Sequence, residues 1–204
     1  MEIKSVAELE QLLGAPTPRA RTKERATLTE VDRQWLAHSP FVLVATADAA
    51  GNCDVSPKGD PPGFVHVIDD RTIAIPERPG NRRADGYHNI LENPHIGLLF
   101  VIPGRNEALR INGRARLLRD APFFDLMTVK GHRPIMALAV DIDTIFFHCQ
   151  RALMRSDLWK PASWEPQALP SHANIVTSVQ PVTETVAQLE EHYAEANYVR
   201  TLYA

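Results

Sequence analysis

Runs of apolar residues, some of them alternating with polar positions, fill the middle of the chain from Phe41 to Cys149. Short apolar runs bounded by Gly, Pro, Asn and Asp are typical of β-strands. We therefore predict strands at Phe41–Thr46, Gly63–Ile68, Arg71–Ile75, His95–Ile102, Ala108–Leu118 and Ile135–Phe147. Asp48–Asn52 and Asp69–Asp70 lie between such runs and predict tight turns. Strands that follow one another through short turns favour an antiparallel sheet or barrel.

Helical patterns flank this central part. Residues 1–40 contain capping-box patterns that predict helix starts, with Ser5 before Glu8 and Thr29 before Asp32. Further helices are predicted at Pro122–Lys130 and Arg151–Leu158. The fold class predicted from these elements is mainly β, a β-barrel with flanking helices.

The C-terminal part has a different pattern. Residues 160–181 are rich in Pro and Ser and predict a loop or arm. A final amphipathic helix is predicted at Thr183–Tyr203, with one face formed by Val186, Leu189, Tyr193 and Ala196. We divide the chain into N-terminal helices (1–40), a central barrel (41–159) and a C-terminal arm with its helix (160–204), all within one domain.

The composition is that of an ordinary globular protein. The 204 residues are 44% hydrophobic and 23% charged, so one good core can form without disulfides or metals. The two cysteines, Cys53 and Cys149, have no metal-ligand spacing and fit a reducing compartment, so we expect a cytoplasmic location. No apolar run reaches about 18 residues, which argues against a membrane span.

The distribution of charged residues indicates which class of ligand the protein binds. The net charge of −3 gives no broad basic field, and no basic patch is interleaved with aromatic residues. We therefore expect no nucleic-acid partner. The positive charge is local instead, which suits a small anionic ligand.

The segment from Thr72 to Pro94 carries that local charge. A β-type run ends in a Pro/Gly turn, and the pattern predicts a short helix that begins near Asn81, beside Arg82 and Arg83. Free amide N–H groups at a helix start, together with arginines, suit a phosphate. The alternative, which the local sequence leaves open, is a solvated arginine pair at an ordinary crossover helix.

Other chemistries have less support. No metal site is predicted, because no His-x-x-x-His or Cys-x-x-Cys pair occurs, and His148 and Cys149 point in opposite directions on a strand. Cys149 at the end of an apolar strand is more typical of the core than of a nucleophile. The chain also lacks Gly-x-Gly-x-x-Gly after a strand and a Walker-type Gly-Lys-Ser/Thr motif, so dinucleotide-binding and P-loop folds are not indicated.

Several motifs follow one another with a characteristic order and spacing: Phe41–Asp48, Val55–Gly59, Gly80–Arg83 with Asn89–Pro94, Gly97–Phe100 and Leu109–Ala115. Together they resemble the pyridoxamine 5′-phosphate oxidase-like flavoproteins, the FMN-binding split-barrel group. The resemblance spans residues 30–159, most of the chain. Within the group, Ser56–Asp60 and Cys149–Trp159 are similar to a subfamily of FMN-dependent enzymes that have no assigned substrate.

The resemblance implies an FMN cofactor, which offers a dianionic phosphate, a ribityl chain and an isoalloxazine ring. The family's phosphate segment matches residues 78–83 here, with Asn81 and Arg82 as the first choice and Arg78 and Arg83 as alternates. Well-known oxidases of the group have Ser-Arg-Lys where this chain has Gly-Asn-Arg, so the individual phosphate contacts stay open.

The strand Asp54–Lys58 falls where the family runs its backbone along the flavin ring. The resemblance implies that backbone groups of Val55 and Ser56 hydrogen-bond the ring, and that Lys58 places a positive charge near its pyrimidine edge or the phosphate. Family oxidases have an arginine five residues before this lysine, where this chain has Cys53. Part of the phosphate clamp is therefore missing or supplied by another residue. The alternative for Lys58 is a solvated turn lysine.

Further residues are implied to act across a subunit interface. Arg110 and Asn112 share one face of a predicted strand, and in the family this face approaches the flavin of the second subunit. The segment that contains Arg155, Ser156 and Trp159 matches one that reaches over the partner's cofactor, with Arg155 and Trp159 on one helix face. The alternative for Trp159 is to seal the core. We expect a homodimer with FMN at the interface, wrapped by the C-terminal arm, unless the arm folds back on its own barrel.

The resemblance implies an FMN-dependent oxidoreductase that transfers hydride between flavin N5 and a small substrate. No catalytic residue is assigned, because the flavin supplies the redox chemistry. The alternatives are a non-catalytic flavin- or haem-binding module and a deazaflavin-dependent reductase. True pyridoxamine 5′-phosphate oxidase activity is disfavoured, since residues 160–203 offer only Lys160 and Arg200 as cations for a second phosphate.

Overall fold

The computed structural model describes residues 2–203 and contains a seven-stranded antiparallel sheet in the order β2-β1-β5-β6-β7-β4-β3. Its strands are β1 (Phe41–Ala47), β2 (Cys53–Gly59), β3 (His66–Val67), β4 (Thr72–Glu77), β5 (His95–Val101), β6 (Ala108–Leu118) and β7 (Met136–His148). The mainly β fold with flanking helices is confirmed, as are the turn at Asp48–Asn52 and the turn at Asp69–Asp70.

One predicted strand is mostly absent and another was not visible in the apolar pattern. Gly63–Ile68 shrinks to β3: Gly63 has a φ of 85°, which is not an extended conformation, and only His66 and Val67 pair with β4. β2 lies at the edge of the sheet, where Pro57 is tolerated. Its half-buried positions are polar and its exposed positions are mainly apolar, which reverses the usual strand pattern.

The helices are α1 (Val6–Leu13), α2 (Pro18–Arg21), α3 (Glu30–His38), α4 (Asp85–Glu92), α5 (Arg151–Arg155), α6 (His172–Val179), α7 (Val186–Tyr193) and α8 (Glu195–Tyr198). Single 3₁₀ turns occur at Phe124–Met127, Pro161–Ser163, Pro166–Ala168 and Val199–Thr201. The capping box of α3 is confirmed, since the Thr29 amide donates to Asp32 Oδ2 at 2.7 Å. No helix within residues 2–203 has the length and apolar character needed to cross a bilayer.

The C-terminal helices differ from the predicted pattern. The single helix expected at Thr183–Tyr203 ends at Tyr193, and the Asn197 side chain then donates to the carbonyl of Glu191 at 2.7 Å. α6 lies inside the stretch expected to be a loop, and it packs on α7 through a small separate cluster of apolar side chains. The assignment of residues 160–204 to the same domain as the barrel stays a prediction.

The main core lies between the sheet and helices α3 and α4. Its largest fully buried side chains include Phe100, Leu109, Ile111 and Ile145. Trp35 and Leu36 from α3 and Ile90 from α4 join this core. Burial of these helices against one face leaves the other face of β1, β2, β5 and β6 outside the core.

A segment before α3 extends the sheet. β4 pairs with β7 only as far as Asp141. Beyond that point the backbone of Arg25 pairs with Ile145, through N–H···O distances of 3.1 and 2.7 Å. The chain near Arg25 therefore occupies the place beside β7 that β4 leaves open.

Candidate functional site

A cleft of about 880 Å³ lies between edge strand β2, the loop that follows β4, and the first turn of α4. It is lined by Val44, residues 54–58, residues 77–87, Ile90, Ile135 and Met136. Residues far apart in the sequence therefore meet at one place. Among those predicted from the sequence, the cleft brings together Val55, Ser56, Lys58, Arg78, Asn81, Arg82 and Arg83.

The helix beside the cleft begins later than predicted. Arg82 and Ala84 have φ values of 62° and 60°, so a helix cannot start near Asn81. α4 begins at Asp85 instead, and Asn81, Arg82 and Arg83 lie in the loop before it. The Asn81 side-chain oxygen accepts from the Arg83 amide at 3.0 Å, and Asn81 lines the cleft.

The start of α4 offers backbone donors. Its N-cap is Ala84, whose side chain cannot accept a hydrogen bond, so no side chain caps the helix. The first N–H groups of an α-helix have no partner within the helix. Asp85 and Gly86 in this first turn line the cleft. The N-terminus of α4 therefore has no side-chain cap and forms one wall of the cleft, with the Asp54 carboxylate close to Gly86 of its first turn.

Most cations in the cleft are already paired. Lys58 Nζ lies 2.6 Å from Glu77 Oε2, Arg78 Nε lies 2.6 Å from Asp60 Oδ2, and Arg83 pairs with Asp85. Within residues 2–203, Arg82 is the cleft cation that has no carboxylate partner. Its charge is therefore available to an anionic ligand, and its neighbours' charges are largely compensated.

Arg78 has a structural role. Besides Asp60, its guanidinium donates to the backbone carbonyls of Met127 and His132 at 2.6 and 3.1 Å. The side chain is 12% exposed. Tyr203 adds a further contact, donating to Asp60 Oδ1 at 2.5 Å. Arg78 therefore anchors the start of the cleft loop, and its donors are directed away from a phosphate role.

Lys58 forms a bridge across the open side of the barrel. It extends from β2, Glu77 extends from the end of β4, and these two strands are not neighbours in the sheet. The Tyr87 hydroxyl donates to the same Glu77 oxygen, and Lys58 Nζ lies 4.7 Å from the centre of the Tyr87 ring. Lys58 is thus neither a solvated turn lysine nor an uncompensated positive charge.

Burial, followed by the hydrogen bond to Glu77 and the charge of Glu77, raises the pKa of Tyr87. Its hydroxyl therefore stays protonated and keeps donating to Glu77 over the physiological range. Sequence reasoning did not identify Glu77 as a residue of this site. The available signal was an acidic residue at the end of an otherwise apolar strand, β4.

Polar side chains hold α4 close to β1 and β2. Asn89 donates to Thr46 Oγ1 at 3.1 Å. A Cβ at Gly86 would lie 3.1 Å from Asp54 Oδ2 and 4.0 Å from Ser56 Oγ, so only glycine lets the helix approach this closely without a shift. The Ser56 side chain therefore faces α4, whereas Val55 is on the opposite side of β2 and is 60% exposed.

Arg110 and Asn112 lie on the outer face of the sheet. Arg110 Nε donates to Asn112 Oδ1 at 3.1 Å. Asn112 lines a shallow hollow on that face together with Asp54 and Val55, which also line the cleft. The cleft and the outer face therefore meet at these two residues of β2.

The remaining predicted residues lie elsewhere. Arg155 ends α5, and Asp157 has a φ of 49°, so Trp159 lies beyond the helix and does not share a helix face with Arg155 as expected. The Trp159 indole donates to the Arg105 carbonyl at 2.7 Å, and the Ser156 hydroxyl donates to the Leu153 carbonyl at 3.1 Å. In the single chain described by residues 2–203, these three side chains do not line the cleft.

A family model described as pyridoxamine 5′-phosphate oxidase matches residues 28–149 of this chain. No curated protein matches. Among solved structures, the chain is similar to the HupZ protein of Group A Streptococcus, at 21% identity over 59% of this chain and 93% of that one, with a TM-score of 0.48.

Two further solved structures are similar. An FMN-binding protein from Syntrophomonas wolfei has 15% identity over 58% of this chain and 89% of that one, with a TM-score of 0.44. A Clostridium acetobutylicum protein related to general stress protein 26, of the pyridoxinephosphate oxidase family, is 17% identical. The match covers 58% of this chain and 85% of that one, with a TM-score of 0.41.

Proposed function

The chain belongs to the pyridoxamine 5′-phosphate oxidase family, and on that premise we propose that it is an FMN-dependent oxidoreductase acting on a small substrate. One observation carries the proposal. In the cleft, the start of α4 without a side-chain cap and Arg82 lie beside edge strand β2. Arg82 is the arginine of the cleft that has no carboxylate partner within residues 2–203.

The cleft fits FMN in size and in donors. Its volume of about 880 Å³ lies within the range of about 300–1,000 Å³ that is usual for cofactor pockets. In this proposal Arg82, the Asn81 amide group and the first N–H groups of α4 bind the phosphate. Guanidinium and backbone N–H groups at a helix start are both suited to a dianionic phosphate.

The flavin ring is assigned to β2. The sheet order places β2 at an edge, so backbone N–H and C=O groups on its outer side pair with no strand of the sheet. Val55 and Ser56 are the central residues of this edge. Such free donors and acceptors suit the polar edge of an isoalloxazine ring. When bound, FMN supplies hydride transfer at N5.

The protein's own residues orient that chemistry and tune its charge. Lys58 lies beside the proposed ring site, but Glu77 compensates its charge and protonated Tyr87 fixes Glu77 in place. The cleft therefore presents a neutral bridge at β2, the uncompensated cation Arg82 and the carboxylate of Asp54, which has no ion-pair partner within residues 2–203. We assign no side chain as a general acid or base. The two cysteines are exposed and free, which fits a reducing, cytoplasmic setting.

The visible absorption spectrum of purified protein tests this proposal, with the released cofactor identified by mass after denaturation. Flavin bands with the mass of FMN, or tight uptake of added FMN, are expected. Turnover with NAD(P)H or oxygen then separates an enzyme from a flavin-binding module. Protein that takes up no FMN at micromolar concentration would contradict the assignment, and uptake of a deazaflavin or haem instead would identify the alternative.

We further propose that a second copy of the chain covers the outer face of the sheet. Cross-strand register places Pro57, Leu43, Leu99 and Arg110 in one row on this face. The face is largely apolar: Phe41 is 37% exposed and Val55 is 60% exposed. Because the cleft opens onto this face at Val55, a second copy would add a wall to the cleft. The segment with Trp159 does not reach its own cleft, and in this proposal it contributes to the partner's cleft.

Ala45→Arg tests the homodimer. Ala45 is exposed on the outer face and pairs with Val55 and Gly97 on its two neighbouring strands. The substitution would place a bulky positive charge in the interface on each of the two copies. The dissociation constant of the dimer is therefore expected to rise by about 100-fold or more. Sedimentation velocity measures this change. Ala50→Arg, in the exposed β1–β2 turn, is the control and should leave the assembly unchanged. A monomeric wild-type protein would contradict the proposal.

A further inference from the structure

Tyr203 joins the C-terminal helices to the base of the cleft. Within residues 2–203, every hydrogen bond, ion pair and ring contact between residues 170–203 and the preceding part of the chain involves this side chain. The other such contacts of α6, α7 and α8 are made among themselves, for example from the Asn197 side chain to the Glu191 carbonyl. The polar and aromatic attachment of these helices to the barrel therefore rests on one tyrosine.

The Tyr203 hydroxyl binds the ion pair that anchors the cleft loop, residues 78–84. It donates to Asp60 Oδ1 at 2.5 Å, while Arg78 Nε donates to Asp60 Oδ2 at 2.6 Å. One carboxylate thus holds the tyrosine with one oxygen and the start of the cleft loop with the other. The Asp60 side chain is 2% exposed, so both contacts are shielded from water.

The tyrosine ring contacts the same junction from outside. The Arg78 guanidinium carbon lies 5.8 Å from the ring centre, Lys130 Nζ lies 5.5 Å from it, and the His132 ring stacks on it at 5.7 Å. Lys130 and His132 belong to the connection between β6 and β7, and the His132 carbonyl accepts from Arg78 at 3.1 Å. The same connection leads to Ile135, which lines the cleft. The ring therefore packs against two of the segments that build the cleft.

We propose that Tyr203 is a positioning residue of the cleft: docked on Asp60 it holds the cleft loop in place, and its release lets the loop open. The physical reason is exclusion of water, because a buried ion pair attracts more strongly than a solvated one. Without the tyrosine, water would reach Asp60 and Arg78, and Arg78 would hold the loop less firmly. Arg82, further along the same loop, would then lose its fixed position.

The protonation state of Tyr203 agrees with this role. Burial, followed by the hydrogen bond to Asp60 and the charge of Asp60, raises the pKa of the Tyr203 hydroxyl. The hydroxyl therefore stays a donor to Asp60 over the physiological range. Undocking of the tyrosine then requires movement of the C-terminal helices, not a change of charge on its own side chain.

Limited trypsin digestion of the full-length protein tests the proposal. Arg82 and Arg83 are cleavage sites in the cleft loop, and Arg19 and Arg21 in exposed α2 are internal reference sites. Tyr203→Ala should speed cleavage of the cleft loop about tenfold, because cleavage follows the population of the open loop. Tyr203→Phe keeps the ring and loses only the hydroxyl, so about a threefold increase is expected. Mass spectrometry gives the initial rate at each site.

Tyr198→Phe is the matched control. Tyr198 lies in α8, and its ring contacts are with His192 and Tyr193 of α7. This variant should leave every cleavage rate unchanged. Unchanged cleavage of the cleft loop in Tyr203→Ala would overturn the proposal. An equal increase at Arg19 and Arg21 would also overturn it, because Tyr203 would then stabilise the fold as a whole and not the loop.

A second measurement rests on the proposed FMN site. A ligand that binds only the ordered cleft loop favours the docked tyrosine, and by linkage the docked tyrosine favours the ligand by the same factor. Tyr203→Ala should therefore release bound FMN about tenfold faster than the wild type, as measured by recovery of flavin fluorescence after dilution. Equal release rates would overturn the coupling of Tyr203 to the ligand. A wild-type protein that binds no FMN would contradict the proposed function alone, since the trypsin result does not depend on flavin.

Discussion

Replacing Arg82 with alanine is expected to weaken FMN binding by about 30- to 150-fold, since the variant loses a charge-assisted contact to the phosphate. Arg82 is the cleft cation without a carboxylate partner in the described part of the chain. Lys58 and Arg78 cannot replace it, because the largely buried carboxylates of Glu77 and Asp60 hold them. Fluorescence titration of apoprotein with FMN measures the change.

The adjacent Arg83→Ala is the matched control for that variant. Arg83 is an arginine of the same loop, but it is highly exposed and already paired with Asp85. Exposed ion pairs contribute little, so less than about a threefold change in FMN affinity is expected. The reverse order, with Arg83→Ala the more damaging variant, would assign the phosphate to the other arginine. If Arg82→Ala binds FMN as tightly as the wild type does, the assignment of the phosphate to this loop is wrong.

Sequence patterns predicted the central sheet well where strands have one buried face. β6 is observed at Ala108–Leu118 as predicted, because Leu109 and Ile111 are buried and Arg110 is exposed. β2 has the opposite arrangement, with Ser56 and Lys58 turned towards α4, so alternation alone did not reveal it. Only the resemblance to a known family indicated its position.

The first residue of α4 could not be predicted from the local sequence. Arg82 and Ala84 adopt positive φ values, which neither residue type favours by itself. The pattern of apolar residues contains no signal for such a conformation. A helix start at Asp85 therefore could not be predicted, although the presence of the helix could.

The sequence also could not show which of the cleft cations are paired with carboxylates. Arg78 and Lys58 are paired with Asp60 and Glu77, which are 18 and 19 residues away. Such pairs form only when β2 and the end of β4 are brought together by the sheet. The sequence could locate a basic loop, but only the tertiary neighbours identify Arg82 as the uncompensated member.

Gly113→Ala is expected to destabilise the fold by about 3 kcal/mol or more, lowering the melting temperature by roughly 6–12 °C. The β6–β7 register shifts between Asn112 and Gly113, and a Cβ at Gly113 would lie 2.1 Å from the Asp141 carbonyl oxygen. Backbone must therefore move at the centre of the sheet. Gly97→Ala, whose Cβ would find its nearest atom at 3.6 Å, is the control and should cost under about 1 kcal/mol. Equal melting temperatures for the two variants would show that the sheet absorbs the clash by a small shift.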